Sequence, residues 1–298
     1  MKHAILGVGA IGGLVGTALG SLGLAEGERE DVIVVVRAER LAGYPASLVL
    51  ERPSATLTTP VKAVASLADP VDVLWIATKT YQLEPALREV QVEPGCVIPL
   101  LNGVDHMAAL RGRFGRERVV AATIAVEAER TSPGRFIQRS PFVRLNLASS
   151  GKPLLERIVQ RLSSLGFTCQ FIENEETLLW SKLCFLGPFA LATSASGKNI
   201  GEVLADPAWK AQLLSAIAEA CAVARACGAS VDTAEMQAMF NAAPPGMRSS
   251  MQKDLAAGRQ LELDAIGGAI IRGGERAAID VSTTAQLMAA IQAKDRNR

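Results

Sequence analysis

His3-Ala-Ile-Leu-Gly-Val-Gly-Ala-Ile-Gly-Gly-Leu14 decides the fold. A short apolar run meets Gly7-x-Gly9-x-x-Gly12 and passes into small residues at helical spacing, so the stretch reads as strand, tight turn and helix. Gly7 lets the chain turn, Gly9 lets backbone N–H groups approach a pyrophosphate, and Gly12 lets the helix pack closely on the sheet. The anion then sits at the helix N-terminus, over the backbone of Gly7, Gly9, Ala10, Ile11 and Gly12.

A glycine motif of this kind is weak alone, and the same residues admit other readings. Residues 4–25 carry no charge, Lys2 precedes them and Gly23-Leu-Ala25 follows, so a signal peptide or a membrane span can be drawn. The next residues decide against both. A loop with Glu26, Glu28, Arg29, Glu30 and Asp31 leads into Val32-Ile-Val-Val-Val36, a buried run rich in β-branched residues, and the βαβ unit closes. That strand ends in Arg37, where an NAD-specific enzyme usually places an acid for the ribose hydroxyls; Arg here can pair with a 2′-phosphate and points to NADP(H). Arg40 lies near enough to help, and Glu39 is a counter-signal.

At 298 residues the chain can hold two domains, each with its own core. A net charge of +1 gives no electrostatic argument for nucleic acid or an anionic membrane. Five cysteines without a CxxC pair read as reduced thiols in a cytoplasmic protein. With only two histidines, His3 and His106, a His-based metal site or a Ser-His-Asp triad is disfavoured, and acid–base chemistry falls to Lys, Glu, Asp or Tyr.

Beyond Arg37, runs 47–50 and 55–59 read as a hairpin, and Val71–Thr78 as a core strand ending on Lys79. A helix starts at Thr80, and Cys96–Leu101 is a strand running into the turn pair Asn102-Gly103. Lys79 and Asn102 therefore fall at the carboxyl edge of the sheet, where open α/β folds bind ligands. Strands over 119–126, 135–138, 143–147 and 167–172, with a helix over 153–165, complete an α/β domain at 1–173. The fold expected is a Rossmann-type doubly wound sheet followed by an all-α domain at 174–298, with helices at 175–194, 207–227, 233–242, 250–273 and 283–295. Asp206-Pro207 and Asp232 with Glu235 supply helix starts.

Taken together, Gly7-x-Gly9-Ala-x-Gly12-Gly13, Arg37, Thr78-Lys79-Thr-Tyr-Gln-Leu-Glu84, Leu101-Asn102-Gly103-Val104, Trp180-Ser-Lys182-Leu183, Ser249-Ser250-Met251-x-x-Asp254 and Gly258-Arg-x-x-Glu262-x-Asp264 carry a pattern. In order and spacing it resembles the ketopantoate reductase family, 2-dehydropantoate 2-reductases that use NADPH. The resemblance implies that Lys79 approaches the adenosine phosphate or the substrate. Asn102 would hold the substrate or the nicotinamide ribose. Lys182 would be the general acid of ketone reduction, Glu262 would hold Lys182 or a substrate hydroxyl, and Ser250 would receive a substrate carboxylate.

The chain also departs from that family. Four and eight residues after the catalytic Lys the family usually has Asn, and here those substrate-facing positions are Leu186 and Ala190. Gly187-Pro188 adds an expected break in that helix, which would let Thr193, Ser194 or Ser196 supply polar groups instead. The reading is thus reduction of a small 2-oxo acid that need not be ketopantoate. A β-hydroxyacid or opine-type dehydrogenase and a non-catalytic NADP-binding sensor are the alternatives. Ala211, Ala218, Ala222 and Ala226 along 208–227 suit a core or a homodimer interface equally.

Overall fold

Residues 1–22 and 30–297 are described by the structure, a computed structural model. Glu26, Glu28 and Arg29 of the charged loop lie outside the described residues. The chain divides into two units: Met1–Leu101 with His106–Glu173, and Asn102–Asp105 with Asn174–Arg298.

In the first unit the strands are β1 (Lys2–Leu6), β2 (Asp31–Val35), β3 (Ser47–Glu51), β4 (Thr56–Pro60), β5 (Lys62–Val64), β6 (Val73–Ile76), β7 (Cys96–Pro99), β8 (Ala122–Ala125), β9 (Ala128–Ser132), β10 (Arg135–Gln138), β11 (Val143–Ala148) and β12 (Phe167–Ile172). Five of them form a parallel sheet in the order β5-β2-β1-β6-β7. Its centre is apolar because β1, β2 and β6 are buried on both faces. The helices of this unit are α1 (Ala10–Ser21), α2 (Ala38–Leu41), α3 (Leu83–Leu87), α4 (His106–Phe114) and α5 (Lys152–Ser164). The hairpin β3–β4 forms as expected, but in a separate sheet ordered β4-β3-β10-β9. The runs on either side of Ser140-Pro141 do not pair with each other: β10 joins that sheet, and β11 lies between β12 and β8.

A buried carboxylate ties β2 to its surroundings. Glu30 accepts from the Met1 ammonium at 2.6 Å and from Arg161 of α5, and faces His3 Nε2 at 3.3 Å. Burial raises its pKa, yet hydrogen bonds with His3 and the terminal ammonium outweigh burial and hold it at about 2.

The second unit is helical: α6 (Glu175–Ser196), α7 (Ile200–Ala205), α8 (Pro207–Ala226), α9 (Thr233–Asn241), α10 (Ser250–Ala256), α11 (Ala269–Ala277) and α12 (Ser282–Arg296). Asn174 caps α6, accepting from the Thr177 N–H at 2.6 Å, and Asp206 caps α8 ahead of Pro207. α6 is long and apolar enough to cross a membrane, but most of it is buried within the unit. Trp180, Leu183, Phe189 and Leu191 of α6 pack with Leu213, Ile217 and Val223 of α8 and with Ile291 of α12. Burying an aliphatic side chain of this size is worth about 1.5 to 3 kcal/mol.

Two expectations are corrected here. The expected break at Gly187-Pro188 is absent, and α6 runs unbroken through Pro188. Core packing on Gly187, Pro188 and Phe189, all buried, holds the helix where the proline ring removes one backbone bond. The helix expected over 250–273 is interrupted. Gly258, at φ +64°, ends the turn after α10, and residues 259–262 are non-helical. Helix resumes at Leu263 with a π turn over Asp264–Gly268 before α11. α7, capped by Asn199 with Glu202, was not among the expected helices. Of the alanine stripe on α8, Ala211, Ala218 and Ala226 are exposed and Ala222 is half-buried; Ala216, Ala220 and Ala224 enter the core instead.

Candidate active site

The first unit offers an anion cradle. Gly7, at φ +93°, turns the chain directly against Thr78, and a Cβ on it would lie 2.7 Å from Thr78 Cγ2. A Cβ on Gly12 would lie 2.1 Å from the Gly7 carbonyl oxygen, so turn and helix meet with no room for a side chain. At Gly9 a Cβ would meet nothing within 4 Å, which leaves open space in front of the helix. Gly9 is the N-cap of α1, no side chain caps it, and no acid lies in its first turn. The first N–H groups and the positive end of the helix dipole therefore suit a pyrophosphate.

Arg37 follows β2 as the exposed N-cap of α2, and the half-buried Lys79 follows β6. Since β1 lies between β2 and β6, Arg37, the glycine turn and Lys79 come from the carboxyl ends of three adjacent strands. These residues fit a dinucleotide.

The second unit assembles the acid–base groups. Lys182 stands two turns into α6, and desolvation lowers its pKa to about 8, while the Glu262 carboxylate works in the opposite direction. Glu262 is 5% exposed, at the point where helix resumes before the π turn. Asn102 Nδ2 donates to Glu262 Oε2 at 3.2 Å. Asn102 can reach this position because Gly103, at φ +79°, presses on the backbone of Ala265; a Cβ there would lie 2.2 Å from the Ala265 oxygen. The segment is also held from its far end. Arg272 of α11 donates to Asp105 Oδ2 from Nε at 3.1 Å and from Nη2 at 2.7 Å, and to Asp264 Oδ1 at 2.7 Å. Sequence reasoning missed this clamp, because residues 167 positions apart leave no local signal.

Ser249, not Ser250, is the N-cap of α10: its buried Oγ accepts from the Gln252 N–H at 3.1 Å and lies 2.9 Å from Thr193 Oγ1. Ser250 is the first helical residue and is exposed. Leu186, one turn beyond Lys182 and on its side of α6, is half-buried. Ala190 is fully buried in the core, and Thr193 is occupied by its bonds to the Phe189 carbonyl and Ser249. The structure thus brings Lys182, Glu262 and Asn102 together and gives Ala190 to the hydrophobic core.

Comparisons with known proteins bear on the family and the fold. The family described as Ketopantoate reductase PanE/ApbA matches residues 3–150, and its C-terminal counterpart matches residues 174–295. The 2-dehydropantoate 2-reductase of Caulobacter vibrioides is 31% identical over 97% of this chain and 98% of its own. An uncharacterized oxidoreductase of Bacillus subtilis, YkpB, is 26% identical over 93% of each chain. Among solved structures, a D-mandelate dehydrogenase in ternary complex with NADH and anilino(oxo)acetate superposes with TM-score 0.86 at 21% identity, covering 100% of this chain and 99% of that one. A ketopantoate reductase from Ralstonia eutropha gives 0.85 at 24%, with the same coverage. A glycine-turn dinucleotide fold followed by this helical unit defines a class of NAD(P)-dependent oxidoreductases acting on CH–OH groups. Within that class, the chain belongs to the ketopantoate reductase family.

Proposed function

We propose that this protein reduces a 2-oxo acid to the 2-hydroxy acid with NADPH. The observation that carries the reading is Lys182, an ammonium whose pKa is lowered to about 8 beside the buried Glu262, to which the half-buried Asn102 donates. Bound nicotinamide supplies a hydride to the carbonyl carbon. Lys182 Nζ polarises the ketone oxygen and gives it a proton, so one hydride and one proton convert C=O to CH–OH. An acid with this pKa is charged at neutral pH yet releases its proton more readily than a solvated lysine. Glu262 holds Lys182 or a substrate hydroxyl, Asn102 aligns the substrate or the nicotinamide ribose, and Ser250 receives the carboxylate. Gly7, Gly9, Ala10, Ile11 and Gly12 hold the pyrophosphate, and Arg37, with Lys79 nearby, takes the 2′-phosphate.

Retention of both Lys182 and Glu262 favours turnover over a non-catalytic sensor. Leu186, where the family usually has Asn, favours a plain apolar side chain on the substrate. The solved neighbour of the same fold that holds anilino(oxo)acetate fits that choice. In this reading the enzyme is cytoplasmic and a homodimer; the ketopantoate reductase of Staphylococcus aureus is described as dimeric, and light scattering measures the assembly of this one.

The test is NADPH oxidation against a panel of 2-oxo acids that includes ketopantoate and its des-hydroxy analogue, 2-oxo-3,3-dimethylbutanoate. The analogue is expected to have the higher kcat/KM. Leaving the ketopantoate hydroxyl unpaired costs about 1 to 3 kcal/mol, or roughly one to two orders of magnitude, and Leu186→Asn should narrow the gap. A flat panel would return the protein to the binding-module reading; a wild-type preference for ketopantoate, unimproved by the substitution, would show that the pocket satisfies the hydroxyl another way.

A further inference from the structure

Outside the groups given a role in the reaction, one arginine binds both of the segments that carry Asn102 and Glu262. Asn102 opens the stretch Asn102–Asp105 that belongs to the second unit, and Glu262 stands just ahead of the π turn Asp264–Gly268. Arg272 of α11 meets each segment a few residues past its functional side chain. Its Nε and Nη2 donate to Asp105 Oδ2 at 3.1 and 2.7 Å. Its Nη1 donates to Asp264 Oδ1 at 2.7 Å, and its Nη2 also reaches the Asp264 carbonyl at 3.1 Å. The same two segments meet at the 3.2 Å bond from Asn102 Nδ2 to Glu262 Oε2 and where Gly103 presses on the Ala265 backbone.

The helix leaves room for this arginine. A Cβ on Gly268 would lie 2.6 Å from Asp264 Oδ1 and 3.0 Å from Arg272 Nη1, so a bare backbone lets the pair lie across the turn. The clamp is also too open to solvent to hold much of the fold. The side chains of Arg272, Asp105 and Asp264 are 38%, 41% and 85% exposed, and ion pairs at such exposure add little to stability. What a guanidinium supplies in that setting is direction. Its donors leave a rigid planar fork, so binding two carboxylates fixes the angle between the segments that carry them, which an ammonium does not.

We propose that Arg272 is a positioning residue of the active site, holding Asn102 against Glu262 by binding Asp105 and Asp264 together. The inference rests on the reaction proposed above for the roles of Lys182, Glu262 and Asn102. With the clamp gone, Gly103 keeps its packing, but the amide of Asn102 is no longer aimed and the Glu262 carboxylate is held less steadily. Glu262 is the charged group that acts on Lys182, and it works against burial there. A less steady carboxylate therefore lets burial act more fully, and Lys182 gives up its proton at lower pH.

The experiment compares the full chain with Arg272→Gln, Arg272→Lys, Asp105→Ala, Asn102→Ala and the double variant Asn102→Ala/Arg272→Gln. Without nucleotide, the titration of Lys182 is followed through its Cε resonance, assigned by its disappearance in Lys182→Ala; with NADPH, turnover of 2-oxo-3,3-dimethylbutanoate is measured. Arg272→Gln should melt within about 3 °C of the parent. Its Lys182 should titrate at least about half a unit lower, and its kcat should fall about tenfold with NADPH affinity unchanged. Asp105→Ala should reproduce both effects, and Arg272→Lys, which keeps the charge but not the fork, should restore less than half of the loss. In the Asn102→Ala background, Arg272→Gln should cost no more than about twofold, because the side chain it serves is gone. An unmoved Lys182 titration in Arg272→Gln, full restoration by lysine, an undiminished effect without Asn102, or a larger fall in melting temperature would each overturn the proposal. A parent that turns over no 2-oxo acid would refute the reaction alone, and the Lys182 titration would still decide for or against the clamp.

Discussion

α1 and α6 are both apolar, mostly buried helices, and under the proposed function they serve the site in opposite ways. α1 works through what it lacks: Gly9 presents bare backbone to an open space, and Gly12 admits the carbonyl of Gly7 at a distance no side chain allows. α6 works through one group it adds, the Lys182 ammonium, set among buried hydrocarbon on its own helix. Damage to α1 should therefore appear as lost packing or lost nucleotide, and damage to α6 as lost chemistry. The contrast extends to charge. Burial opposes the ionised form of both Glu30 and Lys182; the partners of Glu30 overcome it, whereas Glu262 only partly restores Lys182.

The most severe way to break this contrast is Lys182→Ala. Loss of a positioned acid costs about 10² to 10⁴ in turnover, with the dissociation constant for NADPH unchanged in a fluorescence titration. The parent should also lose its rate of reduction as pH rises through about 8, because the acid must carry its proton, and Lys182→Ala should lack that limb. If nucleotide affinity fell together with turnover, the division between the helices would fail.

Next in size is the glycine pair. Gly12→Ala must displace backbone by accommodating a Cβ at 2.1 Å, so unfolding free energy should drop by about 3 kcal/mol. Gly9→Ala meets no protein atom, and its melting temperature should match the parent's while NADPH binding weakens about 10- to 100-fold. Equal melting temperatures for both variants would contradict the geometry of the turn.

Glu30→Gln sharpens the charge comparison. A carboxylate lowered from 4.5 to about 2 stabilises the fold above its unfolded value and loses that contribution as pH falls from about 4.5 toward 2. The variant should be less stable at neutral pH by on the order of 3 kcal/mol and should show a flatter acid limb in denaturant titrations. The smallest expected effect is at the nucleotide edge. Arg37→Ala should weaken NADPH by about 1 to 3 kcal/mol and leave NADH alone, measured by titrating both. Parallel losses for the two nucleotides would remove the 2′-phosphate from the account.

The glycine turn, the central strands and the caps at Asp206 and Asp232 were legible in the sequence because each is a local rule: a spacing, a period or one side chain bonding a nearby N–H. The interruption after α10 was not. Gly258 sits within a stretch of good helical periodicity, and its φ of +64° depends on how 259–262 are held by the rest of the unit. Pro188 erred the other way, since core packing outweighed a local breaker. Lys182, Glu262 and Asn102 could be named from their motifs, but the contact between residues 102 and 262 and the Arg272 clamp are tertiary.

The π turn at Asp264–Gly268 has its own consequence. A turn of this kind is one residue longer than an α turn, and each residue of an α-helix advances the azimuth by about 100°. Glu262 lies just ahead of Leu263, where helix resumes, while Arg272 and the apolar face of α11 follow. The extra residue works as a phase shifter: it lets the carboxylate that enters the helix, Glu262, be directed by one requirement and the packing face of α11 by another. Without it, the two directions would be locked to a single periodicity, and either the core or the carboxylate would face the wrong way.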